Sequence, residues 1–186
     1  SNNVNSFLTV TETNNLGQIS SERVYVATNN GVARWNATGD KWETAWTAFD
    51  GLPISFVEDI IEFDGDIWMA TPSGISHYDT TAMSITNYDK SDGLMGTSTW
   101  GLVGATTTST DVSGVTTTQN SLFISHDGKG TDRPGITQFD AGGKTVINLH
   151  QFDQLPSNSV SAVTADIWGV HIATDIGPLI HWIRST

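Results

Sequence analysis

The sequence predicts an all-β fold made of four-stranded repeats, and three observations carry that expectation. An apolar stretch ending in a small residue with Thr or Ser, followed by Gly and then an aromatic, recurs four times. Two of the intervals between copies are nearly equal, 43 residues from Gly31 to Gly74 and 42 from Gly135 to Gly177. Apolar and polar residues alternate between turns rich in Gly and Asp, with no helical period of 3.6.

The first copy is Val24-Tyr25-Val26-Ala27-Thr28 with Gly31 and Trp35, and the second is Ile67-Trp68-Met69-Ala70-Thr71 with Gly74 and Tyr78. The third reads Leu122-Phe123-Ile124-Ser125 with Gly135 and Phe139, and the last Val170-His171-Ile172-Ala173-Thr174 with Gly177 and Trp182. Gly74 and Gly135 are 61 residues apart, so the third repeat carries insertions. A second element lies between copies: Phe49-Asp50-Gly51-Leu52-Pro53, Phe152-Asp153-Gln154-Leu155-Pro156, and the degenerate Tyr88-Asp89-Lys90-Ser91-Asp92-Gly93-Leu94.

With strands lettered A to D within each repeat, strand A is expected over roughly 4–10, 55–62, 98–104 and 159–165. Strand B is expected over 23–28, 66–71, 121–125 and 169–174, strand C over 31–36, 74–79, 135–139 and 178–183, and strand D over 43–49, 83–88 and 144–150. The last repeat ends after strand C. Four-stranded units at this period are the signature of β-propeller blades, and an isolated blade cannot bury both of its faces. The expectation is one domain over 1–186, with blades near 1–53, 54–96, 97–156 and 157–186.

At these residues the chain resembles the two-component regulator propeller repeat. Its best matches to that pattern are Ile67-Trp68-Met69-Ala70-Thr71-Pro72-Ser73-Gly74-Ile75 and Leu155-Pro156-Ser157-Asn158-Ser159-Val160. The resemblance implies a propeller in an extracellular or periplasmic sensor region, or in a secreted protein. Within these 186 residues no apolar run approaches the ~18 needed to span a bilayer, and no kinase is expected among them. An open arc of four blades would leave apolar faces exposed, so a homodimer completing a larger ring, or a fragment of a longer propeller, is expected.

Composition narrows the classes further. Twenty Asp plus Glu oppose eight Lys plus Arg, a net charge of −12, which disfavours nucleic acid and anionic membrane surfaces as partners. Fifteen of the acids are Asp, a turn residue, so much of this charge belongs in loops. Seven Trp and seven Phe supply core material that disordered chains lack. With no Cys there is no disulfide framework, thiolate metal site or Cys nucleophile. No basic-then-apolar leader opens the chain, so any signal peptide is expected to lie outside it.

Candidate chemistry concentrates in one place. The B-to-C connection of the third repeat is six residues longer than its counterpart after Thr71 and carries His126, Asp127, Lys129, Asp132 and Arg133. In a propeller this connection lies on the face around the central axis, where ligands bind, and loops on rigid scaffolds carry function. These five are the candidate ligand-binding residues; the alternative is a solvated insertion without a ligand. No cofactor is expected, although Asp127 and Asp132 could offer carboxylates to calcium. The five His show no His-x-His or His-Glu-x-x-His spacing for zinc. Trp42, Trp46, Trp100 and Trp168 break the repeat spacing and are candidates for a sugar-stacking surface or for packing. No nucleophile elbow or phosphate loop is present.

The functional expectation is a non-enzymatic binding or sensing module for a small molecule, glycan or protein. The alternatives are a carbohydrate-active enzyme, a polysaccharide lyase or hydrolase on a propeller scaffold, and a purely structural repeat fragment.

Overall fold

A computed structural model describes residues 3–110, 112–127, 135–140, 145–149, 155–166 and 169–182. Fifteen strands follow one another among these residues: β1 (Val4–Thr13), β2 (Ile19–Thr28), β3 (Gly31–Asn36), β4 (Lys41–Trp46), β5 (Asp59–Phe63), β6 (Asp66–Thr71), β7 (Gly74–Asp79) and β8 (Ser84–Tyr88). They continue with β9 (Thr99–Thr110), β10 (Thr116–His126), β11 (Ile136–Asp140), β12 (Thr145–Leu149), β13 (Val160–Asp166), β14 (Gly169–Thr174) and β15 (Ile180–Trp182). Each repeat forms its own sheet of consecutive strands: β1 to β4, β5 to β8, β9 to β12, and the three-stranded β13 to β15. The fold is all-β, as expected, and the expected spans of β3, β6, β7 and β14 are met at both ends.

Two compact units partition the chain, residues 1–87 and 88–186. In the first, Tyr25, Val32, Trp46, Leu52, Val57, Ile60, Ile67 and Met69 form a buried cluster, with Leu8, Val10, Tyr78 and Ile85 packed against it. In the second, Ala105, Phe123, Ile136, Leu155, Val160, Val170 and Ile172 do the same. The second strand of a sheet is the most deeply covered. In β6 every residue from Ile67 to Thr71 is buried, and in β10 every residue from Ser121 to His126, the polar Thr71, Ser121, Ser125 and His126 included. The fourth strands, β4 and β8, are largely exposed and polar.

Three departures from the expected boundaries have identifiable causes. β5 starts at Asp59, not near 55, because the Val57 N–H donates to the Thr28 carbonyl (3.0 Å) and the Glu58 N–H to the Ala70 carbonyl (2.8 Å), which holds the preceding residues as a crossing segment. The polar stretch 104–120 is a hairpin: β9 and β10 pair without a break from Gly101↔Ser125 out to Thr110↔Thr116, and its many β-branched Thr residues suit a strand. β4 ends at Trp46, because Thr47 caps a short 3-10 turn, Ala48–Asp50.

That turn explains the repeated Asp-Gly-Leu element. The Thr47 hydroxyl accepts from the Phe49 N–H, and the Asp50 carboxylate accepts from the Thr47 N–H at 3.0 Å. Asp89 and Asp92 repeat the box around a second 3-10 turn, Lys90–Asp92. Gly51 and Gly93 then leave in the left-handed region, at φ 111° and 102°, and the next residue, Leu52 or Leu94, drops into the interior. These two elements are therefore each a capped stop followed by an anchor, and residues 152–154 of the third lie outside the described residues.

Candidate functional site

The residues singled out by sequence lie where β10 turns toward β11. In the first two repeats the second strand ends on a Thr whose hydroxyl closes a two-residue loop. Thr28 donates to the Gly31 carbonyl and Thr71 to the Gly74 carbonyl, both at 2.8 Å. The same oxygens accept from the Asn30 and Ser73 N–H groups. Thr174 in the fourth repeat donates to the Ile176 carbonyl. In the third repeat His126 holds this position, and its backbone N–H donates to the Gly135 carbonyl at 3.0 Å.

The imidazole turns inward instead of closing the loop. His126 is fully buried, with Nε2 2.8 Å from the Thr137 hydroxyl. Thr137 donates to Asn148 Oδ1 (2.8 Å) and accepts from the Met95 N–H (3.1 Å), while Asn148 Nδ2 donates to the Gly93 carbonyl (3.2 Å). Because the single hydroxyl proton goes to Asn148, the network assigns the proton of neutral His126 to Nε2. Nδ1 lies against Gly96 and makes no hydrogen bond of ordinary geometry, although that backbone favours a protonated ring. Burial dominates, with Lys90 acting in the same direction, and lowers the His126 pKa to about 4.

Asp127 follows, half-buried, its N–H donating to the Ser98 carbonyl at 3.0 Å. Lys129, Asp132 and Arg133 lie outside the described residues. The two described candidates thus adjoin at the strand end, with His126 directed into the interior.

The Trp residues divide by environment. Trp46 sits between Tyr25 (ring centroids 5.5 Å apart) and Tyr78 (4.3 Å), with the Arg34 guanidinium 4.6 Å over its ring. It is 6% exposed and offers no ring face to a sugar. Arg34 is itself held by the Thr44 carbonyl (2.8 Å) and Glu43 (3.6 Å), beside an open cleft of about 420 Å³ that Arg34, Trp46 and Tyr78 help to line. Trp42, packed edge-on against Trp35, and Trp100 are both exposed, and Trp168 lies outside the described residues.

Two further clusters join His to carboxylates. In the second repeat His77 Nε2 is 2.8 Å from Asp66 Oδ2, and its ring stacks on Trp68 at 4.2 Å and 12°. Partial burial pushes the Asp66 pKa up, but hydrogen bonds from Thr80 and His77 outweigh it and the net shift is downward. In the fourth repeat His171 and His181 face each other across β14 and β15 and stack at 4.5 Å and 6°. His171 Nε2 is 3.0 Å from Asp166 Oδ2, and one ligand atom from each of the three residues lies within 4.8 Å of the others. Sequential His spacing could not reveal this group. The signal was the antiparallel register, which sets His171 opposite His181 as it sets Trp68 opposite His77.

No protein-family model and no curated protein matches the chain. Among solved structures it is similar to the extracellular domain of a protein described as a hybrid two component system, BT3049 of B. thetaiotaomicron, with TM-score 0.61 and 19% identity over 87% of this chain and 20% of that one. It is also similar to the extracellular domain of one described as a one component system, BT4673 of the same organism, with TM-score 0.58 and 17% identity over 84% of this chain and 20% of that one. At such identities the likeness concerns the fold, and the chain spans about a fifth of the length of either protein.

Proposed function

We propose that these repeats are blades of a β-propeller acting as a non-enzymatic sensing module in an extracellular or periplasmic region. The observation that carries this reading is the likeness in fold to extracellular domains of two-component-type and one-component-type systems. The repeat-by-repeat division into sheets of consecutive strands supports the propeller, because that is how blades are built.

On this reading the ligand contacts come from the long connection after β10, through Asp127, Lys129, Asp132 and Arg133. His126 anchors the base of that loop from inside, in keeping with its burial and its bond to Thr137. Such a division, a rigid root below a polar loop, is common where a scaffold presents a binding segment.

The experiment is a thermal-shift and calorimetric titration of the chain against glycan fragments and peptides, run beside turnover assays on polysaccharides. Saturable binding without product, weakened by Asp127→Ala or Arg133→Ala at unchanged melting temperature, is expected. Turnover abolished by Asp127→Ala or Asp132→Ala would replace this reading with a lyase or hydrolase.

A further inference from the structure

The geometry points to a divalent transition-metal site of the zinc class at Asp166, His171 and His181. Two imidazoles and a carboxylate form a donor set that suits zinc and its neighbours, whereas calcium and magnesium take oxygen ligands almost exclusively. This inference is independent of the sensing role.

Ligand atoms around a tetrahedral zinc with bonds of about 2 Å lie about 3.3 Å apart. His171 Nε2 and Asp166 Oδ2, 3.0 Å apart, are already near that separation. The His181 ligand atom is no farther than 4.8 Å from either, and since the two rings stack in parallel, His181 completes the set by tilting out of the stack so that its in-plane lone pair meets the shared ion. Asp166 and His181 are exposed, which leaves their side chains room to make that adjustment. The backbone needs no change, because His171 and His181 are paired across two hydrogen-bonded strands and Asp166 pairs with Gly169 at the adjoining end of β13. Three protein ligands leave a fourth position open to water or to an outside ligand. Binding would displace the proton shared between His171 and Asp166, as metal binding to imidazole generally does.

The second repeat provides an internal comparison. It has the same ring stack across its second and third strands, but Trp68 stands where the fourth repeat has His171. Its carboxylate–imidazole contact is placed differently, Asp66 of the second strand meeting the third-strand His77 instead of a first-strand Asp meeting the second-strand His. An indole stacks as well as an imidazole does, yet it offers no ligand nitrogen. The exchange of Trp for His therefore keeps the packing and adds the second nitrogen ligand.

The test is titration of the chelator-treated chain with Zn²⁺, Co²⁺ and Ca²⁺ by calorimetry, with the visible absorption of bound Co²⁺ as an independent signal. Zn²⁺ and Co²⁺ are expected to bind one per chain, and Ca²⁺ is not. Asp166→Asn, His181→Ala and His171→Trp should each weaken binding at least tenfold, whereas His77→Ala should leave it unchanged. His171→Trp reproduces the stack of the second repeat, so its melting temperature should match the parent chain and separate lost binding from lost folding. Absence of Zn²⁺ and Co²⁺ binding, or binding that survives His171→Trp in a folded chain, would overturn the assignment.

Discussion

The side-chain amide of Asn87 donates to the carbonyl of Gly51 at 2.8 Å, tying β8 to the 3-10 turn that follows β4. Its Oδ1 accepts from the Ser76 hydroxyl at 2.7 Å, so one Asn links two strands and a turn. Asn148 makes the corresponding pair of bonds in the next repeat, to Gly93 and Thr137. Asn87→Ala should lower stability by about 1–2 kcal/mol, since it strands a carbonyl and a hydroxyl together. Asn87→Asp keeps the acceptor for Ser76 but sets a carboxylate oxygen against the Gly51 carbonyl, so its loss should be at least as large at neutral pH and should shrink when the carboxyl is protonated. Urea unfolding of the two variants checks the order.

His126 predicts a pH dependence. Its folded pKa, near 4, lies below the ordinary value of 6.5, so between those values the unfolded chain binds the extra proton. The stability it contributes is complete above pH 6.5, falls as the pH drops, and is gone below about 4; the span is worth on the order of 3 kcal/mol. His126→Thr, the residue at the equivalent position of the other repeats, should flatten the profile between pH 7 and 4 whatever its stability at pH 7. A variant profile parallel to that of the parent chain would contradict the buried neutral ring.

Gly31 is fixed by its surroundings as well as by its backbone. At φ 104° a Cβ there would lie 2.2 Å from the Trp46 carbonyl oxygen. Gly65 is also left-handed, at φ 86°, but a Cβ there meets nothing within 4 Å. Gly31→Ala should therefore cost about 3 kcal/mol or more, and Gly65→Ala about 1–2 kcal/mol, with melting curves as the measurement.

Trp68 is 1% exposed and Trp42 63%. Trp68→Ala should cost about 3–5 kcal/mol by leaving a cavity, and Trp42→Ala less than about 1 kcal/mol. Similar losses at both positions would show that burial does not distinguish them.

The sheets were legible because their determinants are local and repeated: Thr28 and Gly31, or Thr71 and Gly74, set hairpins within four residues. The start of β5 was not, because Val57 bonds to Thr28 far back in the chain. The direction of His126 was hidden for a similar reason. A His beside Asp127 in a polar loop reads as solvent-facing, and only its pairing with Thr137 and Asn148 reveals an inward ring. The His171–His181 pair is set by strand register, and no sequential metal motif spans it.

On the proposed reading each repeat is one propeller blade with its first strand innermost. A crystal structure of the intact protein containing these residues tests it most directly. If the proposed propeller is right, β1, β5, β9 and β13 will each be the innermost strand of their sheet, facing a central axis. Sheets packed face to face as a sandwich, or an axis lined by β4, β8 and β12, would contradict it.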